Sequence, residues 1–351
     1  MINKMNKSKN TTRIYIYPIT ARFEQKYDNP YINDMIASLG DDFVCVNKDH
    51  PSKIGVLNLC SYFFKTNVFH LNWIEDLPDK KGGYIQTLFF LTFLFFAKIS
   101  QKKIIWTAHN KISHHKTHST LKNFLIKLLV RQSNYIITHS QEGVRFVNSL
   151  NGNPKTDTVL YIPHPIQPNL LESTNSIKYD LIIWGNIRPY KGIDRFLDYL
   201  KTQGLLEKYN MLIVGKVSDP DYERELKNYQ SKNISILNQF IENEKLQELI
   251  KASSIILFTY QKEYVLSSGA LTDSVAYGKN VIGPDIGAFR DLNKAGLIHT
   301  YKNFDDLIYL IDKLLDQNNQ INSANLNQYF ANNSWSNYGK KLHDLINRRA
   351  L

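Results

Sequence analysis

The stretch Trp184–Gly192, W-G-N-I-R-P-Y-K-G, decides how the chain is read. It follows the apolar run Tyr179–Ile183, a buried strand by pattern, and precedes Ile193–Leu200, whose apolar residues recur at helical spacing. A strand, a glycine-bearing turn and a helix make a cradle for anions. Backbone N–H groups at a helix start are unpaired, and the helix dipole adds positive potential there. Arg188 and Lys191 stand three residues apart in the turn. Such a pair can close on one diphosphate, Arg as a fork and Lys as a point charge. A solvated basic turn with no ligand is the alternative that these residues alone leave open.

Outward from the turn the same rhythm runs in both directions. Arg13–Tyr17, Phe43–Asn47, Val68–Asn72, Ile104–Ala108, Tyr135–Thr138 and Val159–Ile162 are predicted strands. Helices are predicted over Tyr31–Leu39, Tyr84–Ile99, Leu121–Arg131 and Gln141–Leu150. After Pro163–Ser176, a linker rich in Pro, Asn and Ser, strands return near Leu181–Trp184, Met211–Val214, Ile234–Leu237, Ile255–Phe258 and Val281–Ile282. Alternating strands and helices predict an α/β protein with two Rossmann-like, doubly wound domains in tandem, residues 1–166 and 177–333. Ligands of such sheets bind outside the carboxyl ends of the strands, so the expected site is the cleft between the domains.

Composition agrees. With 351 residues the chain suits two cores, and 43% hydrophobic with 21% charged residues describes a folded globular protein. Cys45 and Cys60 offer neither a disulfide framework nor metal-ligand spacing, which points to a reducing compartment. Met1–Thr12 is polar, so no secretory leader is expected and a cytoplasmic location is. The net charge of +11 is uneven: residues 1–170 carry 21 Lys and Arg against 11 Asp and Glu, the remainder 22 against 21. A basic first half suggests an anionic partner such as a membrane surface or a phosphorylated lipid. The run within Tyr84–Ala97 is about 14 residues, against the roughly 20 that a span requires, so it is read as a buried helix, with an exposed docking face as the alternative. Leu121, Phe124, Leu125, Leu128 and Leu129 make an apolar stripe flanked by Lys116, Lys122, Lys127 and Arg131, the pattern of a surface-lying amphipathic helix or of an ordinary half-wet one.

The second chemical signal is Tyr264–Gly287, Y-V-L-S-S-G-A-L-T-D-S-V-A-Y-G-K-N-V-I-G-P-D-I-G. Ser267, Ser268 and Gly269 precede a predicted helix, Ala270–Tyr277, where small residues let a phosphate reach the backbone N–H groups. Asp273, further along, can hold the paired hydroxyls of a ribose. Plain N-capping by Ser is the alternative.

Taken together these segments resemble the GT-B glycosyltransferases, closest to the nucleotide-sugar-dependent family 4, or group 1. G-N-I-R-P-Y-K-G is similar to the family's donor diphosphate motif, and A-Y-G-K-N-V-I-G-P-D-I-G to its A-x-G-x-P-V-I segment. Phe240–Tyr260 resembles the segment before the donor loop. I-I-W-T-A-H-N at 104–110 resembles a strand ending in a His at the cleft, and I-T-H-S at 137–140 and I-P-H-P at 162–165 also match. The pattern from Ser334 resembles a last helix, 334–351, that crosses back to the first domain. The resemblance covers most of the chain and is strongest in its second half.

The resemblance implies a hexosyltransferase that moves a sugar from a nucleoside diphosphate sugar to a hydroxyl of a lipid-linked or oligosaccharide acceptor, in bacterial surface polysaccharide synthesis. Gly185, Asn186, Arg188, Lys191, Tyr264, Ser267, Ser268, Gly269 and Asp273 would bind donor. Arg188 and Lys191 would also neutralise the leaving nucleotide, and His109 would face the transferred sugar. Arg22, Tyr31, Asn110, His114 and His115 are the candidate acceptor contacts. No cofactor and no metal are expected, and the protein is expected at the inner face of the cell membrane. Two features depart from the family. Its donor loop carries two Glu eight apart, where this chain has Val265 and Asp273, so the sugar recognition and retaining stereochemistry tied to that motif do not carry over; Glu263 stands nearby. The Gly-rich acceptor loop is replaced by P-I-T-A-R-F-E-Q-K-Y-D-N-P-Y, where Glu24 or Asp28 offers a base for an inverting enzyme. His109, His114, His115 and His118 lack firm metal spacing. Asp219-Pro220-Asp221 reads as a helix cap rather than a metal motif. Two rivals remain: an epimerase of the same fold, and a non-enzymatic anion or nucleic-acid binder, which lacks any aromatic–basic RNA signature here.

Overall fold

The strand–helix rhythm becomes two parallel six-stranded sheets in the computed structural model, which describes residues 11–19, 30–50, 52, 54–111, 118–150, 158–172, 176–262, 265–317 and 322–347. The first sheet holds β1 (Thr12–Tyr17), β2 (Phe43–Cys45), β3 (Val68–Asn72), β4 (Lys103–Ala108), β5 (Tyr135–Thr138) and β6 (Val159–Tyr161) in the order β2-β1-β3-β4-β5-β6. The second holds β7 (Tyr179–Trp184), β8 (Met211–Val214), β9 (Ile234–Leu237), β10 (Ser253–Leu257), β11 (Asn280–Pro284) and β12 (His299–Tyr301) in the order β12-β11-β10-β7-β8-β9. The strand order reverses at β1/β3 and at β7/β10, and these are the points where a crevice opens at the carboxyl ends of the strands. Helices α1 (Pro30–Ala37), α2 (Gly55–Ser61), α3 (Gly83–Ile99), α4 (Ser119–Gln132) and α5 (Gln141–Leu150) belong to the first sheet. Those of the second are α6 (Ile193–Thr202), α7 (Pro220–Lys227), α8 (Asn243–Lys251), α9 (Gly269–Ala276), α10 (Gly287–Lys294) and α11 (Phe304–Gln317), followed by α12 (Ser323–Asn332) and α13 (Trp335–Asn347).

Both faces of each sheet are covered, which is why the inner strands read as near-continuous apolar runs. In the first domain Tyr15, Phe69, Trp106 and Ile136 point to one core, and Ile14, Ile16, Ile105 and Ile137 to the other. Pleating sends alternate side chains to opposite faces. The second of these cores is closed by the end of the chain: Tyr338, Leu342, Leu345 and Ile346 of α13 pack into it. Register also positions the site. Asn72 pairs with Thr107 and Ala108 with Thr138, so Trp73, His109 and His139, each the first residue past its strand, meet at one sheet edge.

The two domains touch beside the cleft. Asn110, after β4, forms an isolated antiparallel bridge with Val265. Glu142 in the first turn of α5 accepts from the Gly287 N–H at the start of α10 (2.8 Å) and pairs with Arg290 and Lys111. The Gln141 N–H donates to Asp291 (2.8 Å). The linker is not a loose tether. Its N–H groups at Ile166, Asn169 and Leu171 bond to the carbonyls of Asn333, Ala276 and Tyr277.

Some expectations need correction. β12 and α2 were not legible. β12 is a three-residue edge strand, H-T-Y, and α2 starts on Gly55 with no side-chain cap. The α4 stripe is core only in part: Leu125 and Leu129 are buried while Phe124 is 50% exposed, and Lys122 is buried against Asp79 rather than wet. Asp219, by contrast, caps α7 as expected, accepting from the N–H groups of Asp221 and Tyr222.

Gly339 lets α13 lie against α1, because a Cβ there would run into the Ser38 carbonyl. Gly339→Ala should lower stability by about 1–3 kcal/mol, as overpacking does. Gly40→Ala, with open space around its Cβ, should change little. Thermal unfolding of the two variants checks this.

Candidate active site

Between the sheets lies a cavity of about 210 Å³. The first domain supplies Tyr31, Trp73, His109, Asn110 and His164; the second supplies Tyr190, Tyr260, Val265, Ser267, Ser268 and Gly269. Nearly all stand at the carboxyl ends of strands or at the start of α9.

The first-domain wall is a set of neutral imidazoles held by aromatic rings. His109 stacks on Trp73 with centroids 4.1 Å apart, and Tyr31 meets His109, His139, His164 and Trp335 edge-on or tilted at 5.1–5.6 Å. Protonation states follow from partners. The Asn72 amide donates to the Tyr17 carbonyl (3.0 Å), so its oxygen accepts from His109 Nε2–H (3.2 Å). Nδ1 of His109 is therefore the lone-pair acceptor of that ring. His139 donates Nδ1–H to the Ile162 carbonyl (2.7 Å) and so receives the Tyr31 hydroxyl at Nε2 (3.0 Å). His164 likewise donates Nδ1–H to the Pro165 carbonyl. Burial holds all three rings neutral, with neighbouring imidazoles adding to the effect at His109 and His139. His139 is pushed down to about 3, His164 to about 4, and His109 well below the usual value.

The second-domain wall is built on the turn that opened the sequence reading. Pro189–Lys191 forms a single 3-10 turn, and Gly192, at φ +65°, starts α6. The turn is tied to the end of β10: the Thr259 hydroxyl donates to the Lys191 carbonyl (2.7 Å), and the Gln261 N–H to the Tyr190 carbonyl (3.0 Å). Lys191 is 3% exposed; its Nζ donates to the Trp184 carbonyl (3.0 Å) and lies 5.5 Å from the Tyr260 ring. Among the described residues no carboxylate pairs with it. Burial, and then the Arg188 charge, bring its pKa down to about 7.

Gly185, at φ +97°, joins the two motifs. A Cβ placed there would stand 3.2 Å from Lys191 Nζ and 3.9 Å from Ala270 Cβ in the first turn of α9. The missing side chain leaves a gap with an ammonium on one side and a helix N-terminus on the other. Ser268 caps that helix, accepting from the Leu271 N–H, whereas the Ser267 hydroxyl is buried with no partner among the described residues.

The remaining expected residues fall as follows. Arg188 is half-buried. With the Asn186 amide turned to satisfy both its ends, that side chain accepts from Arg188 Nε (3.3 Å) and donates to the Lys216 carbonyl (3.1 Å). Neither Arg188 nor Lys191 lines the cavity itself, contrary to expectation: the Lys191 stem is buried in its turn and the ammonium lies behind Gly185 and Tyr260. Asp273 is also outside the lining. Its side chain is exposed, yet desolvation by the surrounding protein, and then the Asp34 charge of α1, raise its pKa to about 6. Val265, where the family resemblance placed a carboxylate, is 2% exposed in the seam with Asn110, where an unpaired charge would be costly. Arg22, His114, His115, Tyr264, Glu24, Asp28 and Glu263 lie outside the described residues. Sequence reasoning missed Trp73, His164, Tyr190 and Tyr260 as lining residues, although all follow the ends of apolar runs. Among the described residues no three His, Cys, Asp or Glu side chains group as metal ligands would.

Comparison with known proteins agrees with this geometry. Residues 172–335 match the family model "Glycosyl transferases group 1". A GDP-mannose:glycolipid 4-β-D-mannosyltransferase of Xanthomonas campestris pv. campestris is 24% identical over 260 residues, 72% of this chain and 71% of that protein. Anabaena Alr3699/HepE, crystallised with UDP and glucose, superposes with a TM-score of 0.68 at 12% identity, covering 96% of this chain and 99% of that one. Sucrose-phosphate synthase from Thermosynechococcus elongatus superposes with a TM-score of 0.64 at 12% identity, covering 96% and 98%. The two facing Rossmann-like domains and the returning last helix are those of the GT-B fold, and residues 172–335 carry the match to the group 1 glycosyltransferases.

Proposed function

We propose that this glycosyltransferase takes its sugar from a nucleoside diphosphate sugar and delivers it to a hydroxyl of a lipid-linked or oligosaccharide acceptor. The observation that carries the reading is the gap at Gly185, bounded by the Lys191 ammonium and the start of α9. A diphosphate seated there would meet a cation, unpaired backbone N–H groups and the partnerless Ser267 hydroxyl. Arg188, half-buried beside the same turn, would add a second positive charge as the nucleotide leaves. His109, with Nδ1 as acceptor, would hold a sugar or acceptor hydroxyl from the opposite wall, and the neutral ring keeps charge away from the sugar. No metal is required in this scheme. Synthesis of a bacterial surface polysaccharide at the inner membrane face belongs to the same proposal, supported by the basic first half and by the glycolipid substrate in the Xanthomonas relative's name. That name also makes GDP-mannose the first donor to try.

A ligand that binds only the folded state raises its unfolding temperature, so thermal shift against GDP, UDP and their sugars tests the donor site. Arg188→Ala should weaken nucleotide binding roughly tenfold to a hundredfold, the scale of a lost charged hydrogen bond. Lys191→Met should abolish the shift, yet leave the unliganded protein as stable as the parent or more so at pH 6. The sign follows from the depressed pKa: the buried ammonium penalises the folded state fully below about 7, and the penalty fades as pH rises toward the unfolded value. No shift with any nucleotide in the parent would overturn the reading.

The same pKa sets a pH dependence of binding. Nucleotide affinity should be steady below about pH 7 and fall by up to about tenfold per unit above it, because the ammonium must be reprotonated to bind. Calorimetric titration across pH, in buffers of different ionisation enthalpy, should show proton uptake above pH 7.

A further inference from the structure

We propose that the solvent face of α3 docks the first domain on an anionic phospholipid bilayer. The proposal rests on the lipid-linked acceptor above only for its purpose; the surface itself is read from the helix. One face of α3 carries Thr87, Phe90, Phe93, Leu94 and Ala97, all buried in the domain core. The rest of the helix is not polar. Tyr84, Ile85, Leu88, Phe95, Phe96 and Ile99 are each between 52% and 65% exposed. A surface helix ordinarily turns charged residues outward, and a contiguous exposed apolar patch marks an interaction site. The patch extends sideways: Phe63 contacts Phe93, and its neighbour Phe64 is 93% exposed.

Charge selects the partner. Residues 80–141 contain ten Lys and Arg and no Asp or Glu. Lys81 and Lys98 are exposed at the two ends of α3, and Lys65 is exposed beside Phe64. Aromatic and long aliphatic side chains ringed by lysines match the acyl boundary and headgroups of an anionic leaflet. A second copy of the same patch would instead set lysines against lysines. The helix lies in the interface and does not cross it. Its 17 residues span about 25 Å, short of a core of about 30 Å, and its other face is fixed in the protein. No described helix is long and apolar enough to cross a membrane. α3 packs on the 3-10 stretch Ile74–Asp79, which directly follows the cavity residue Trp73.

Co-sedimentation of the full chain with phosphatidylglycerol-containing vesicles, against pure phosphatidylcholine, tests this. Binding should favour the anionic vesicles and weaken in about 0.5 M salt, where screening shortens to a few ångström. Leu88→Glu/Phe95→Glu should reduce vesicle binding at least about tenfold, with unfolding temperature and nucleotide response unchanged. Lys81→Glu/Lys98→Glu should erase the preference for anionic lipid. Absence of vesicle binding by the parent, or equal binding by the Glu variant, overturns the proposal. So does light scattering that finds the parent a dimer and the Glu variant a monomer, for then a second copy covers the face. Vesicle binding without a nucleotide response would leave the docking surface standing and remove the donor reading alone.

Discussion

Lys191 holds its ammonium inside the second domain with the Trp184 carbonyl and the Tyr260 ring for company, and no described carboxylate beside it. Much of the local structure follows from keeping it there. Gly185 must lack a side chain, the Pro189–Lys191 turn must be pinned to the end of β10 by Thr259 and Gln261, and Gly192 must take a left-handed conformation so that α6 can start at once. A buried cation without a counter-ion lowers the stability of the empty protein. The arrangement is therefore the kind kept for a ligand that supplies the missing negative charge.

The opposite wall is organised on the contrary principle. Four histidines, the buried His70, His109 and His139 and the part-buried His164, sit on the first sheet's side of the cleft, and desolvation keeps every one of them neutral. The fixed partners of the last three determine which ring nitrogen donates and which accepts. Neutral hydrogen-bonding groups of defined direction, backed by Trp73 and Tyr31, suit hydroxyl-rich substrates. They also leave the electrostatics of the cleft to the second domain. In the proposed reaction, charge stabilisation falls to the second domain and hydroxyl positioning to the first.

The fold was largely legible because its strands are buried on both faces. Val68–Asn72, Tyr135–Thr138, Met211–Val214 and Ile234–Leu237 stand where their apolar runs place them, to the residue. Where an element depends on its neighbours the sequence was silent. β12 is three mixed residues that exist because β11 offers a free edge. The site was legible where chemistry needs glycine or cations in a turn, at Gly185, Arg188 and Lys191. The aromatic wall was not, because Trp73, Tyr190 and Tyr260 look like any other core aromatics until the register of β3 and the pinning of the Lys191 turn bring them to the cleft. Composition could not show that Lys191 is buried behind Tyr260, nor that Asp273 stands off the cavity near Asp34.

The seam between the domains bears on how such a cleft works. Its polar contacts among the described residues include one backbone bridge at Asn110 and Val265, and the bonds that Glu142 and Gln141 of α5 make to α10. Burial works against the Glu142 charge, but Lys111, the Gly287 N–H and Arg290 outweigh it and hold its pKa below the usual carboxylate range. Val265 fits the same logic. A carboxylate in that seam would have to be desolvated whenever the domains met, whereas valine packs with Leu271 and Phe289 of the second core at no such cost. The residue that departs from the family's donor loop is therefore one the interface can accept.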